Sequence, residues 1–284
     1  MSPGIQYALG AMLLFGVGDL IYKRGAAAGA LPHQFLMLQS WVFLPTVTAY
    51  ALFTGSLHFV AGALWGALAG VFVLIGFYNF AHSLRSGLVS VNAPVFRLSF
   101  VITAGLAIVL LGEPLTAFKL AGIALALAAV WLLLGAPAAD DTARRESKSS
   151  LVRVLIATAA IGVGNVVYKY GLRAGATPAS LIVAQAVVVV SCATAFVCAV
   201  DRRIRPSRPV LRYAPMAAVV LAIAFCLMVE SLALGDASVV VPIAQMGFVV
   251  TSLFGFLLLR EPFTARKGAG LVAAIAALVS LASG

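Results

Sequence analysis

Charge is what this chain lacks. Asp, Glu, Lys and Arg make up 10% of its 284 residues, against about 25% in an ordinary soluble domain. Hydrophobic residues reach 63% and the mean hydropathy is +1.09. Too little polar surface is left for a water-soluble particle of this size, so the membrane class follows. Acid is scarcest, with 9 Asp and Glu against 19 Lys and Arg and a net charge of +10. In a soluble protein that excess would point to nucleic acid. Here the basic residues sit between apolar runs, so they read as orientation signals and headgroup contacts, and no nucleic-acid partner is expected. The three cysteines, Cys192, Cys198 and Cys226, all fall inside apolar stretches. They read as small apolar fillers rather than a disulfide or metal site, and no metal or cofactor is expected. The chain carries no P-loop string, which argues against an ATP-driven pump. MSPGIQ has no basic n-region and the run after it no clear cleavage site, so the first segment reads as a retained span.

What is present is a repeat. Gly16 to Gly25, GVGDLIYKRG, returns 146 residues later as GVGNVVYKYG, Gly162 to Gly171. At the same offset Ala28-Gly29-Ala30 becomes Ala174-Gly175-Ala176, Pro32 becomes Pro178 and Gln39 becomes Gln185. A second block repeats at offset 148. Ser83, Gly87, Ser90 and Pro94 return as Ser231, Gly235, Ser238 and Pro242, and Glu113-Pro114, Thr116 and Lys119 as Glu261-Pro262, Thr264 and Lys267. One unit is therefore used twice, over residues 1–135 and 151–284, joined by a polar linker over 136–150.

A membrane span needs about 20 apolar residues. By that measure ten are expected, near 4–23, 33–53, 60–82, 88–111, 117–135, 151–170, 179–200, 213–234, 237–259 and 266–283. Five spans per unit is an odd number, so the second unit enters from the opposite side. The expected fold is an all-α integral membrane protein of two inverted five-helix repeats. Of the 19 Lys and Arg, only Lys119, Lys169 and Arg173 border the even connections, and Arg97 lies within a span. All the rest border the odd connections, which the positive-inside rule puts in the cytoplasm, with both termini outside.

The two halves together resemble the drug/metabolite transporter superfamily, specifically its EamA-type members. The residues that carry this are G-x-G-[DN]-x-x-Y-K-x-G at the end of each first span, the run S-L-x-x-G-x-x-S-V-x-x-P, and the E-P-[LF]-T turn before each fifth span. The resemblance implies a multipass carrier of the cell (inner) membrane, with a central cavity walled by the first four helices of each half and the fifth helices at the periphery. It also implies both termini in the cytoplasm, opposite to the charge count.

Ionisable groups inside a span are costly, so each calls for a reason. Arg97 follows Pro94, which should kink the fourth span and free carbonyls toward a cavity. Its planar fork suits a carboxylate or phosphate; the bland reading is a pair with Glu230 or Asp19. Gln245 is its counterpart in the second half, where Pro242 breaks the helix. Glu230, deep in span eight, is a candidate proton carrier or a partner for Arg97. His82 titrates in the useful range or sits at the interface. Asp19 is a second coupling candidate; its counterpart is Asn165, and Asp19–Lys23 at i, i+4 is the local alternative. Lys23 and Lys169 read as snorkelling to headgroups, with Tyr22 and Tyr168 at the same interface or walling a cavity. Gln39, Gln185, Asn79 and Asn92 are cavity walls or interhelical hydrogen bonds. Glu113-Pro114 and Glu261-Pro262 read as the starts of the fifth helices, their carboxylates complementing the dipole. Gly16-Val17-Gly18-Asp19 matches the string of intramembrane aspartyl proteases. Those need a second aspartate in another span, and the remaining ones, Asp140, Asp141, Asp201 and Asp236, fall in connections or at a turn.

The expected function is secondary transport of a small polar metabolite by alternating access, with a carboxylate-bearing molecule such as an amino acid as the candidate substrate and with proton coupling, uniport and exchange as the open alternatives; no enzyme activity is expected. Arg97 would anchor the acidic group, with Gln245, Gln39, Gln185, Asn79, Tyr22 and Tyr168 around it, and Glu230, Asp19 or His82 would carry the proton. The alternatives are a flippase of a lipid or lipid-linked sugar and a non-transporting scaffold. Expected partners are the small molecule and the bilayer, with the protein a monomer or homodimer.

Overall fold

The computed structural model describes residues 2–58, 60–86, 92, 95–133, 148–202, 204–250, 253 and 265–283. Among them are ten α-helices and no strand. In the first half they are α1 (Pro3–Ala27), α2 (Pro32–Phe53), α3 (Leu64–Ser86), α4 (Ser99–Leu111) and α5 (Ala117–Leu133). In the second they are α6 (Lys148–Arg173), α7 (Pro178–Asp201), α8 (Arg208–Leu234), α9 (Ala237–Gln245) and α10 (Ala265–Ser283). Seven helical stretches are long and apolar enough to cross a membrane, and three shorter apolar ones, Val95–Leu111, Ala117–Leu132 and Ala237–Val250, fall at the remaining predicted spans.

Proline opens several of these helices. Pro3, Pro32, Pro178 and Pro209 stand in the first turn of α1, α2, α7 and α8, where a missing N–H costs nothing. That is why α8 starts at Arg208, five residues before the predicted boundary. The repeated Ala-Gly-Ala after α1 and α6 has a backbone reason as well. Gly29 (φ 85°) and Gly175 (φ 82°) turn the chain through the left-handed region, which glycine enters without a Cβ clash.

The halves interlock rather than stand side by side. α1 packs along α8 and α3 along α6; α2 packs on α7 and α8, α7 on α2 and α3, and α5 on α10. Each pair joins one half to the other, and each has its counterpart when the halves are exchanged. The inversion is visible at the ends. Gly4, at the start of α1, lies against Ser231 and Gly235 at the end of α8. Its counterpart Ser150, at the start of α6, donates to the Ser83 carbonyl at the end of α3 at 3.0 Å. The start of α1 and the start of α6 are thus on opposite faces. The face at the start of α1 is called end B, and that at the start of α6 end A.

The repeated glycines are contact points. A Cβ on Gly16 would stand 2.7 Å from the Gly247 carbonyl oxygen, and one on Gly162 3.0 Å from that of Ser99. Gly247 and Ser99 are counterparts just past the break in the fourth helix of each half. There Met246 and Leu98 leave α-geometry, their N–H groups bonding back to Ile243 and Val95. Each first helix therefore crosses the broken helix of the other half backbone to backbone, and the G-x-G string serves packing.

α5 and α10 lie at the periphery. Leu115, Phe118, Leu120 and Trp131 before and along α5, and Val272, Ile275 and Val279 on α10, are exposed to the surroundings of the bundle.

Candidate functional site

The centre of the bundle holds a cavity of about 30 Å³ where α2, α3, α7 and α8 meet. Its polar lining is Gln39, Ser40 and Gln185, and its apolar lining includes Phe43, Phe77 and Phe225. Gln39 is the eighth residue of α2 and Gln185 the eighth of α7. Because the two helices start from opposite ends, the glutamines approach the midplane from opposite sides. Behind each stands its repeat tyrosine: the Tyr22 hydroxyl donates to Gln39 Oε1 and the Tyr168 hydroxyl to Gln185 Oε1. Each bond occupies the amide oxygen, so the amide NH₂ is what each glutamine can offer to the cavity. Tyr168 is fully buried and Tyr22 half-buried against Phe35. Both therefore act inside the bundle, not at the membrane interface. About 30 Å³ holds a water or two and no metabolite, so this conformation is shut around its centre.

Arg97 stands just before the break at Leu98, and its Nη2 donates to Asp19 Oδ2 on α1. The partner is Asp19 and not Glu230. The pair does not line the central cavity. In the second half Asn165, the counterpart of Asp19, donates to Thr103 Oγ1 at 3.2 Å instead, and Gln245 closes α9 half-buried. Asn79 is outside the cavity lining; it donates to Ile75 in its own helix and accepts from Arg153 of α6 at 3.5 Å. Asn92, buried, donates to the Ser83 carbonyl and to Ser150. His82 is half-buried edge-on to Tyr78, with its Nδ1 buried and without a hydrogen-bond partner. Pro242 is buried within α9, four residues before the break at Met246. Pro94, Glu261-Pro262 and the Lys23 side chain lie outside the described residues.

Glu230 is in a different place altogether. With Tyr7 of α1 and Tyr50 of α2 it lines a second cavity, of about 250 Å³, between α1, α2 and α8. Phe43 and Phe225, which meet edge-on at 5.9 Å, line the central cavity and not this one.

Two polar closures lie at the ends of α2 and α7. At end A, Asp201 accepts from Gln34 at 2.8 Å and faces the His33 imidazole at 3.0 Å. At end B, Thr177 donates to the Ser56 carbonyl at 2.6 Å and Ser180 to that of His58 at 2.9 Å. Gln34 and Ser180 are repeat counterparts, so the same joint is made twice.

Three contacts at end B escaped the sequence. Glu113 is only 5% exposed, and its two oxygens accept the backbone N–H groups of Ala237 and Ser238 at 2.8 Å each. It caps α9 of the other half, whereas its place in the sequence assigns it to the dipole of α5. Lys119, fully buried, donates to Asp236 at 2.7 Å. Lys169 does not snorkel; its ammonium donates to the carbonyls of Leu232 and Gly235 at 2.6 and 2.7 Å and closes the end of α8. The signal was in the repeat. Glu113, Lys119, Gly235 and Ser238 all belong to blocks that recur at one offset.

The model of the EamA-like transporter family matches residues 2–135 and 148–283. A crystal structure of a protein superposes with a TM-score of 0.82 over 99% of this chain and 98% of that one. At 16% identity that likeness speaks for the fold alone. No curated protein matches in sequence.

Proposed function

The chain belongs to the EamA-like transporter family, a family of multipass membrane transporters of small molecules, and we propose that it is a secondary active carrier of a small polar metabolite. The observation that carries this reading is the pair of repeat-related glutamines, Gln39 and Gln185, on one central cavity. Inverted repeats with a site between them near the midplane are the architecture of alternating access. The buried polar side chains also favour a carrier over a scaffold: Gln39, Ser40, Thr103, Thr158, Asn165 and Gln185 all face inward.

In this reading the cavity widens when the joint at one end of α2 and α7 opens, and the glutamine amides then donate to the substrate. Arg97 anchors a substrate carboxylate by exchanging it for Asp19, and Asp19 takes a proton in place of its cation. Coupling of proton and substrate would rest on that exchange. End A, which carries the basic connections, faces the cytoplasm of a cell whose inner membrane holds the protein.

The test is thermal stabilisation of purified protein by a metabolite panel at two pH values. Carboxylates that raise Tm in the parent protein, less in Gln39→Ala and Gln185→Ala, and not in Arg97→Gln support the reading. Hits indifferent to all three substitutions would move the substrate out of this cavity.

A further inference from the structure

The second cavity is a site in its own right, and we infer that it binds a single-chain amphiphile with an ammonium head. Its three polar groups stand at one depth. Tyr7 is the fifth residue of α1, Tyr50 the fourth from the end of α2 and Glu230 the fifth from the end of α8. All are about 6 Å in from end B at 1.5 Å per residue. Tyr50 turns its hydroxyl toward the Glu230 carboxylate. Among the described residues no lysine, arginine or histidine pairs with Glu230. A cation brought to a carboxylate at this depth stabilises its charged form, and two tyrosine rings beside it add attraction for an ammonium.

The cavity opens sideways. Tyr7, Tyr50 and Ile223 on its rim are 40%, 36% and 47% exposed, on the outer belt of the bundle. From Ile223 an exposed apolar stripe continues down α8 through Val219 to Met216, one helical face running toward end A. A head at Glu230 leaves the tail lying along that stripe, parallel to the acyl chains of one leaflet. About 250 Å³ accommodates an ammonium and its first methylenes, and the Glu230 carboxylate beside the head repels a phosphate, which selects a free cationic amphiphile over a bilayer phospholipid. The site is separate from the central cavity, so either reading survives failure of the other.

The experiment uses the full chain in a non-ionic maltoside detergent. Thermal unfolding is followed while dodecyltrimethylammonium, dodecanol, dodecyl sulfate or phosphatidylethanolamine is titrated in. A saturating rise in Tm of about 5 °C is expected for the ammonium alone. Glu230→Gln should weaken it at least tenfold. Thr46→Phe, which fills the groove and keeps the carboxylate, should abolish it, and carries the test if the Glu230 variant fails to fold. Gln39→Ala should leave it unchanged. An equal rise with dodecanol, or one that survives both substitutions in the groove, overturns the site. An equal rise with phosphatidylethanolamine overturns the single-chain ligand in favour of a bilayer lipid.

Discussion

Glu113, in the turn after α4, accepts the backbone N–H of Ser238 at 2.8 Å across the boundary between the two halves. The carboxylate is buried, and its other oxygen takes the N–H of Ala237. The first half thus supplies the N-terminal cap of a helix in the second. Replacing Glu113 by Ala strands two donors in an apolar surrounding and should lower stability by about 2–4 kcal/mol. Glu113→Gln keeps one acceptor and should lose about half as much. Denaturant unfolding in detergent measures both; an unchanged alanine variant would mean that the cap is idle.

Arg97 and Asp19 should behave as a coupled pair. Arg97 is mostly buried and Asp19 about one-third exposed, so breaking one side leaves a partly screened charge behind, at a cost of about 1–3 kcal/mol. Arg97→Met and Asp19→Met should each lower the yield of folded protein, and the double substitution should recover most of it without recovering transport. Pairing Arg97→Met with Glu230→Met should rescue nothing. Rescue there would show that the cation answers to the wrong carboxylate.

Gly16→Ala and Gly105→Ala form a matched pair of small changes. At Gly16 the new Cβ would stand 2.5 Å from Val250 Cβ and 2.7 Å from the Gly247 oxygen, so α1 must move off the broken helix. The expected cost is about 1–3 kcal/mol. At Gly105 nothing lies within 4 Å, and the better helix former should be neutral or stabilising by about 0.5–1 kcal/mol. Melting temperatures of the two variants should move in opposite directions.

Tyr168→Phe removes the donor to a buried glutamine oxygen, at a cost of about 1–2 kcal/mol. Transport should fall by more than stability does, because Gln185 then swings within the cavity. Tyr22→Phe should give the same result from the opposite side of the membrane. Uptake by reconstituted protein, normalised to folded protein, separates the two effects. Uptake that falls only in proportion to folded protein would reduce the tyrosines to packing.

The ten helices, the two units and the inversion were legible in the sequence, since apolar length and a fixed repeat offset are properties of the string. Gln39 and Gln185 stood out for the same reason. What the string does not hold is partner choice. Glu113 sits four residues before its own helix α5, and local rules assign it there; only the crossing of the halves delivers it to α9. Lys169, at the end of a span, fits the snorkelling pattern equally well until the end of α8 is known to lie over it. Glu230 and Asp19 are both open to the sequence as partners for Arg97, because which face of α1 meets the broken helices is decided by packing such as that of Gly16 on Gly247.

The joint that ties α2 to α7 is made twice, once at each end of the same two helices, and neither copy is strong. Where the two ends open independently, the chance that both stand open is the product of the two separate chances. A through-pore, by which ions would bypass the carrier, is the product of two improbable events. In the proposed alternating-access cycle, tightness against leak then comes from multiplication, and each joint can stay weak enough to open in turn.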